Sequence, residues 1–368
     1  MATAATFETA GASPVRRSVS HRIALFFVWV AVASGFIVTT EPAPFDALTF
    51  GLTILLPTVG LVAYNLTLLG LFAATLLMGA GALVGVAVAQ EPSSALIHTC
   101  VSIYLYIVTF TFATFVAKKP VRHTRLMLRA YLAGAVLAAI CGVIGYFDLV
   151  PGAAELMTRY SRATGLFKDP NVFGPFLILG FVYTFSLLVT RPLRTALLPG
   201  FVFALLSLGL LLSFSRGAWT AAGIALLVYS VLYVMTAPSQ RAQMKFLGTL
   251  LFGAMALASV FVVALQFSAI SDLLTQRAAL TQGYDEGPEG RFGGQKKAMK
   301  LAVENPLGIG AQQFPTFHHH EEAHNVYISM FLNAGWIGGV LFIVLLGMTS
   351  IMGFRHALRD VPSHPLFI

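Results

Sequence analysis

The sequence predicts an all-α integral membrane protein with about ten transmembrane helices and one large extracytoplasmic loop before the last span. Three observations predict it. Of the 368 residues, 57% are hydrophobic and only 10% charged, far from the balance of a soluble domain. Ten apolar runs recur between polar or basic breaks, each near or above the roughly 17–25 residues that a spanning helix needs. The charges also sort by side: with the N-terminus inside, alternation puts fourteen of the 23 Lys and Arg on the inner face, and only Glu8 and Asp360 of the 15 acids. That bias is the positive-inside signature, so the net charge of +8 does not call for nucleic acid as a partner.

In chain order, residues 1–22 read as a cytoplasmic tail, with Arg16, Arg17 and Arg22 ahead of the first run. With so many spans behind it, this start is a retained anchor rather than a cleaved signal peptide. Residues 23–368 then form one polytopic domain, with runs at 23–38, 47–63, 66–89, 95–117, 130–150, 172–189, 195–212, 218–235, 246–267 and 326–354. Cys100 and Cys141 fall inside separate runs, so they read as small packing residues and not as a disulfide framework.

Three outer segments are unlike the short turns elsewhere. The first, 151–171, contains "TRYSRATGLFKDPN" with Arg159, Arg162 and Lys168; the second is the "SFSRGAW" junction, where Arg216 is the one charge between two apolar runs; the third, 268–323, carries Arg277, Arg291, three lysines and a histidine cluster. Cations on the outer face run against the orientation bias. Snorkelling to lipid headgroups explains some, Lys168, Arg277 and the lysines at 296, 297 and 300 first among them. Arg216 invites a functional reading, and Arg159 and Arg162 admit both readings, sharing one helical face if that loop is helical. Asp169 and Asn171 around Pro170 read as a helix cap. In the third segment, 295–303 fits a short helix stopped by Asn305, Pro306 and Gly308, and Gly287, Gly290, Gly293 and Gly294 would let backbone approach a ligand near Arg291.

The string "HHHEEAHNVY" at 318–327 contains HEEAH, the spelling of a zinc-protease helix. That chemistry needs two histidines one turn apart on an established helix, with a third ligand nearby. Here Pro315 lies five residues before His320 and the apolar run starts at Val326, so the string straddles a loop and a helix start. A zinc membrane protease therefore ranks behind the other readings.

Taken together, "SFSRGAW", "GRFGGQKKAMKLAVENPLGIG" and "AHNVYISMFLNAGWIGG" resemble the O-antigen ligase and polymerase superfamily, and "ATGLFKDPNVFG" resembles the same position in exopolysaccharide members. The resemblance implies a periplasmic-face glycosyltransferase of the bacterial inner membrane, with both termini cytoplasmic. It implies a glycan on undecaprenyl diphosphate as donor and lipid A core, polysaccharide or a protein hydroxyl as acceptor. By the same resemblance the motif arginines are Arg216 and Arg291 and the motif histidine is His324, with Arg159 and Arg162 a weaker transfer. Two departures stand out: Gln295 replaces an aromatic common four residues after the GR arginine, and relatives usually continue to about twelve spans, so the C-terminus reads as truncated.

The chemistry implied is attack of an acceptor hydroxyl on a sugar C1 with departure of a lipid diphosphate. Guanidiniums at Arg216 and Arg291 suit the leaving group, with Arg159, Arg162 and Lys168 assisting. His324 suits the base, Glu321 or Glu322 its orientation, and Asn325 either a sugar hydroxyl or a helix cap. Arginines that neutralise the diphosphate make a metal or other cofactor unnecessary, and membrane lipids are the surroundings. The rival outside enzymes is a transporter or flippase for a lipid-linked sugar, which would carry polar groups at mid-membrane and internal repeats.

Overall fold

A computed structural model of the protein describes residues 14–237, 239–266, 287 and 290–358. Arg277, and Glu8 and Asp360 of the charge count, lie outside the described residues. The elements are α1 (Pro14–Ala33), α2 (Pro44–Thr58), α3 (Leu66–Val88), α4 (Pro92–Lys118), α5 (Pro120–Tyr146), α6 (Ala153–Met157), β1 (Thr158–Arg159), β2 (Arg162–Ala163), α7 (Pro170–Thr190), α8 (Leu197–Leu212), α9 (Arg216–Thr236), α10 (Gln240–Ala264), α11 (Arg291–Glu304) and α12 (Val326–Ala357).

Each of the ten apolar runs falls on a helix. By length and composition, however, seven helices among the described residues suffice to cross a membrane: α1 as Val19–Phe36, then α3, α4, α5, α7, α9 and α12. The apolar helix α8 has 16 residues and α2 has 15, both short of a full span. The protein is a multi-pass membrane protein.

The helices begin where the sequence supplies starts. Proline occupies the first turn of α2, α4, α5 and α7, where its missing N–H costs nothing. Asn65, Asp169, Ser215 and Asn325 cap α3, α7, α9 and α12 with side-chain oxygens. One boundary differs from expectation. Only Lys119 separates α4 from α5, so the basic stretch ahead of residue 130 is the opening turns of α5 and not a connection. Hydropathy marks where side chains leave the hydrocarbon, whereas helical hydrogen bonding continues past that point.

Among the described residues a small core around Ala298, Phe314 and Leu332 packs α11 on α12, and two larger cores hold the bundle. One gathers α5, α7, α8 and α9 around Phe173, Leu177, Leu206, Leu212 and Phe214, with Cys141 packed against it; Cys100 is exposed. The other joins α1, α2, α4 and α5 around Val28, Leu52, Leu56 and Phe115. Elsewhere backbones approach directly. A methyl group added at Gly81 or Gly85 of α3 would lie 2.6 or 2.5 Å from the carbonyl oxygens of Ala334 or Asn333 in α12, and one at Gly134 of α5 would lie 2.5 Å from that of Ala33 in α1. Gly81 and Gly85 form a GxxxG pair, which suits helix association in lipid because small residues let backbones pack.

The connections group at opposite ends. At one end Val38 N donates to the Leu166 carbonyl (2.9 Å), Lys168 pairs with Glu41 (2.7 Å), and Glu91 N donates to Gln313 Oε1 (2.8 Å) while Gln313 Nε2 donates back to the Glu91 carbonyl (3.2 Å). At the other, Ala63 N donates to the Thr114 carbonyl, and Lys245 to that of Arg191.

The last helix is broken near the first of these ends. Gly335 has φ 66° and ψ −170°, and the segment after α11 fills the break: Ile309 N and Gly310 N donate to the Leu332 carbonyl (2.7 and 3.1 Å), and Trp336 N donates to the Pro306 carbonyl (2.8 Å). Trp336 Nε1 also donates to the Ala302 carbonyl (2.9 Å). The NPLGIG and LNAGW motifs are therefore two halves of one lock.

Candidate active site

The first outer segment forms a hairpin, where a helix had been the condition for pairing its arginines. Thr158 faces Ala163 and Arg159 faces Arg162 across an antiparallel pair, with Tyr160 and Ser161 at φ 54° and 56° in the turn. Two consecutive residues with positive φ make the tight primed type of turn. The two arginines are cross-strand partners, yet their guanidiniums find different surroundings. Arg162 is buried: Nε donates to the Ser213 carbonyl and Nη2 to Asn171 Oδ1, both at 2.8 Å. Arg159 stays exposed, donating Nη1 to the Lys168 carbonyl (2.9 Å) with its guanidinium 5.3 Å from the Tyr160 ring centre.

Asp169 caps α7 as expected, its Oδ1 accepting from Asn171 N (2.6 Å), while the Asn171 side chain is turned to Arg162. Lys168 reaches Glu41 across two loops, and its ammonium holds the Glu41 carboxyl below the usual carboxylate range, first by hydrogen bonding and then by charge.

The SFSRGAW junction is built around the same arginine. Ser213 gives its carbonyl to Arg162 and its hydroxyl to the Leu210 carbonyl (2.6 Å), buried Phe214 turns the chain at φ 45°, and Trp219 Nε1 donates to the Leu210 carbonyl (2.9 Å). Ser215 then caps α9, leaving Arg216 half-buried as the first residue of that helix. Arg291 holds the same position on α11, after Gly290, and is exposed. Both motif arginines thus stand at helix N-termini, where unpaired N–H groups and the helix dipole favour anions.

The histidine cluster folds against α11. His319 is buried, stacks on Phe314 (5.8 Å between centres, 15°) and covers Gly294, where an added methyl group would lie 2.9 Å from the ring. His318 is held below the usual histidine range, by burial first and then by the Lys297 charge. Glu321 stands between two imidazoles, its carboxylate 3.3 Å from His324 Nε2 and 4.0 Å from His320 Nε2. Glu322 is directed elsewhere, accepting from Gln312 Nε2 (3.1 Å). Asn325 caps α12, its Oδ1 accepting from Tyr327 N and Ile328 N.

As the sequence suggested, the HEEAH string straddles a loop and a helix start. Residues 319–325 are not helical, α12 starts only at Val326, and His324 sits at φ 49°, so His320 and His324 do not lie one turn apart on a helix. Among the described residues no group of three His, Cys, Asp or Glu side chains is arranged to hold a metal ion.

Six non-glycine residues have positive φ among the described residues: Asp148, Tyr160, Ser161, Phe214, Gln312 and His324. Two of the six belong to the motifs themselves: Phe214 lies within SFSRGAW, and His324 is the motif histidine. Residues 201–343 match the family model described as O-antigen ligase. That stretch is similar to the O-antigen ligase family.

The O-antigen ligase region contains Arg216, Arg291 and His324, whereas Arg159, Arg162 and Lys168 precede it. No curated protein and no solved structure matches the chain significantly. Family and membrane helices together support a membrane enzyme of glycan transfer. Sequence reasoning missed Gly294 beneath His319, the Gln313–Glu91 tie and the role of Arg162 as a clamp. Nothing local announces any of the three, since each joins residues far apart in the sequence.

Proposed function

We propose that the protein transfers a glycan from undecaprenyl diphosphate to an acceptor hydroxyl at the periplasmic face of a bacterial inner membrane, as an O-antigen ligase or an exopolysaccharide polymerase. The observation that carries this reading is that two of the motifs are built on left-handed non-glycine residues, Phe214 in SFSRGAW and His324 itself. Such conformations cost about 1–3 kcal/mol each and persist where the surroundings over-determine them, typically at functional sites.

In the proposed step the acceptor oxygen bonds to the donor sugar C1 as its proton passes to His324 Nδ1, with the Glu321 carboxylate accepting from Nε2–H and so orienting the ring. The C1–O bond to the diphosphate breaks, and its electron pair leaves with the lipid diphosphate, whose growing charge Arg216 and Arg291 neutralise. Arg159 and Lys168, exposed on the neighbouring loop, extend the anion-attracting surface. Arg162 serves by holding the SRG junction in place. Among the described residues the buried side chains of Asp, Glu, Lys, Arg or His type are His123, Arg162 and His319, none of them at the middle of a span. A transport path for a charged lipid-linked sugar finds no support there.

The test is transfer by purified protein reconstituted with a lipid-linked glycan donor. His324→Ala is expected to lower the rate by about 10²–10⁴-fold, the usual contribution of a positioned acid–base group. An undiminished rate removes His324 as the base. Loss with a chelator, restored by zinc, would replace the arginine mechanism altogether.

A further inference from the structure

The opposite end of the bundle carries a second charged feature. Where α1 and α5 run side by side, a cleft of about 520 Å³ is lined by Leu25, Trp29, Arg122, Arg125, Leu126 and Arg129. The arginines fall at i, i+3 and i+7, one face of α5. Seven residues of helix span about 10 Å along the axis, so the stripe runs along the basic opening turns of α5 up to the edge of the apolar run that starts at residue 130. Trp29 lies on α1 near the inner reach of that stripe, because Gly134 of α5 meets Ala33 of α1, which sets residue 130 beside residue 29.

Among the described residues no carboxylate pairs with Arg122, Arg125 or Arg129, and none of the three donates a hydrogen bond. The sequence assigns only Glu8 and Asp360 to this end. Three like charges on one helix face repel. An anion delivered from the bilayer surface removes that penalty. Guanidiniums bind phosphate bidentately, indole rings favour the headgroup level, and Leu25 and Leu126 offer apolar wall to an acyl chain. Arginines that served only to orient the chain would do so as well scattered over the loops.

We propose that this cleft is a binding site for the phosphate headgroup of an anionic membrane phospholipid, distinct from the site at the other end of the bundle. The lipid seats its phosphate among Arg122, Arg125 and Arg129 and its glycerol region against Trp29, bridging α1 to α5 at the basic end.

Native mass spectrometry of the full-length protein, released from mixed phosphatidylglycerol and phosphatidylcholine, tests this. The unmodified protein is expected to retain phosphatidylglycerol preferentially, and the pair Arg125→Gln with Arg129→Gln to retain it about tenfold less, one bidentate contact's worth. Trp29→Ala is expected to lower retention several-fold. Lys118→Gln, at the same end but outside the cleft, should leave it unchanged. If the glutamine pair fails to fold, Arg125→Lys with Arg129→Lys keeps the charge and is expected to weaken retention by losing the bidentate geometry. Equal retention by these variants, or an equal loss with Lys118→Gln, overturns the site. Displacement of the lipid by inorganic phosphate alone also overturns it, since it would make a free anion and not a lipid the natural occupant.

Discussion

At the residue scale, Arg162 shows how a charged side chain in an outer loop can be structural. Its two donors join β2 to the carbonyl of Ser213, 51 residues later, and to Asn171 at the start of α7. Arg162→Ala is expected to cost about 2–4 kcal/mol, because it removes two charge-assisted hydrogen bonds and leaves a buried carbonyl unpaired. The purified variant should show a clearly lower thermal midpoint, whereas Arg159→Ala, at an exposed position, should not. Arg162→Lys should not restore it, since an ammonium cannot reproduce the fork. His318 supplies a dependence on pH. Its folded-state pKa is depressed, so the unfolded chain binds more protons; the stabilisation is complete above about pH 6.5 and is lost as pH falls below that value. The thermal midpoint should therefore drop between about pH 7 and about pH 5, and His318→Gln should drop less.

At the element scale, the glycines of the last helix are not interchangeable. A methyl group at Gly335 would lie 2.7 Å from the Pro306 carbonyl oxygen, at a φ that side chains rarely adopt, whereas one at Gly347 meets nothing within 4 Å. Gly335→Ala should sharply reduce folded protein in the membrane, measured by size-exclusion chromatography, and Gly347→Ala should leave it unaltered. Much of this level was legible in the sequence. Apolar runs located the helices, Asp169 and Asn325 announced caps, and the stop at Asn305 and Pro306 was where expected. The hairpin was not legible, because Tyr160–Ser161 lacks the Gly or Asn that usually signals two positive φ values. The start of α5 was hidden because its opening turns are basic. Arg216, Arg291 and His324 stood out through motif spelling; what holds them is long-range, and spelling carries no long-range information.

At the scale of the whole molecule, charge divides the bundle into two ends with different tasks. One end holds the loops with the motif side chains, tied by Lys168–Glu41 and Glu91–Gln313; the other holds the arginine stripe of α5. This division predicts an accessibility pattern. Cysteines introduced at Glu91 and Gln312, with Cys100 and Cys141 replaced by Ser, should both react with an impermeant thiol reagent from the periplasmic side. Cysteines at Lys119 and Arg191 should react only after the membrane is opened. Reaction of Glu91 and Gln312 from opposite sides would contradict the contacts that join their loops.

The break in the last helix also has a consequence in time. Residues 306–310 leave the ribosome before residues 332–336, so the partners for the Leu332 carbonyl and the Trp336 amide are made before the helix that needs them. Lipid offers no substitute for a missing backbone partner, at several kcal/mol for each group. The final span can settle at its proper depth only once the loop ahead of it has folded back to meet it, so the order of synthesis and the order of assembly coincide.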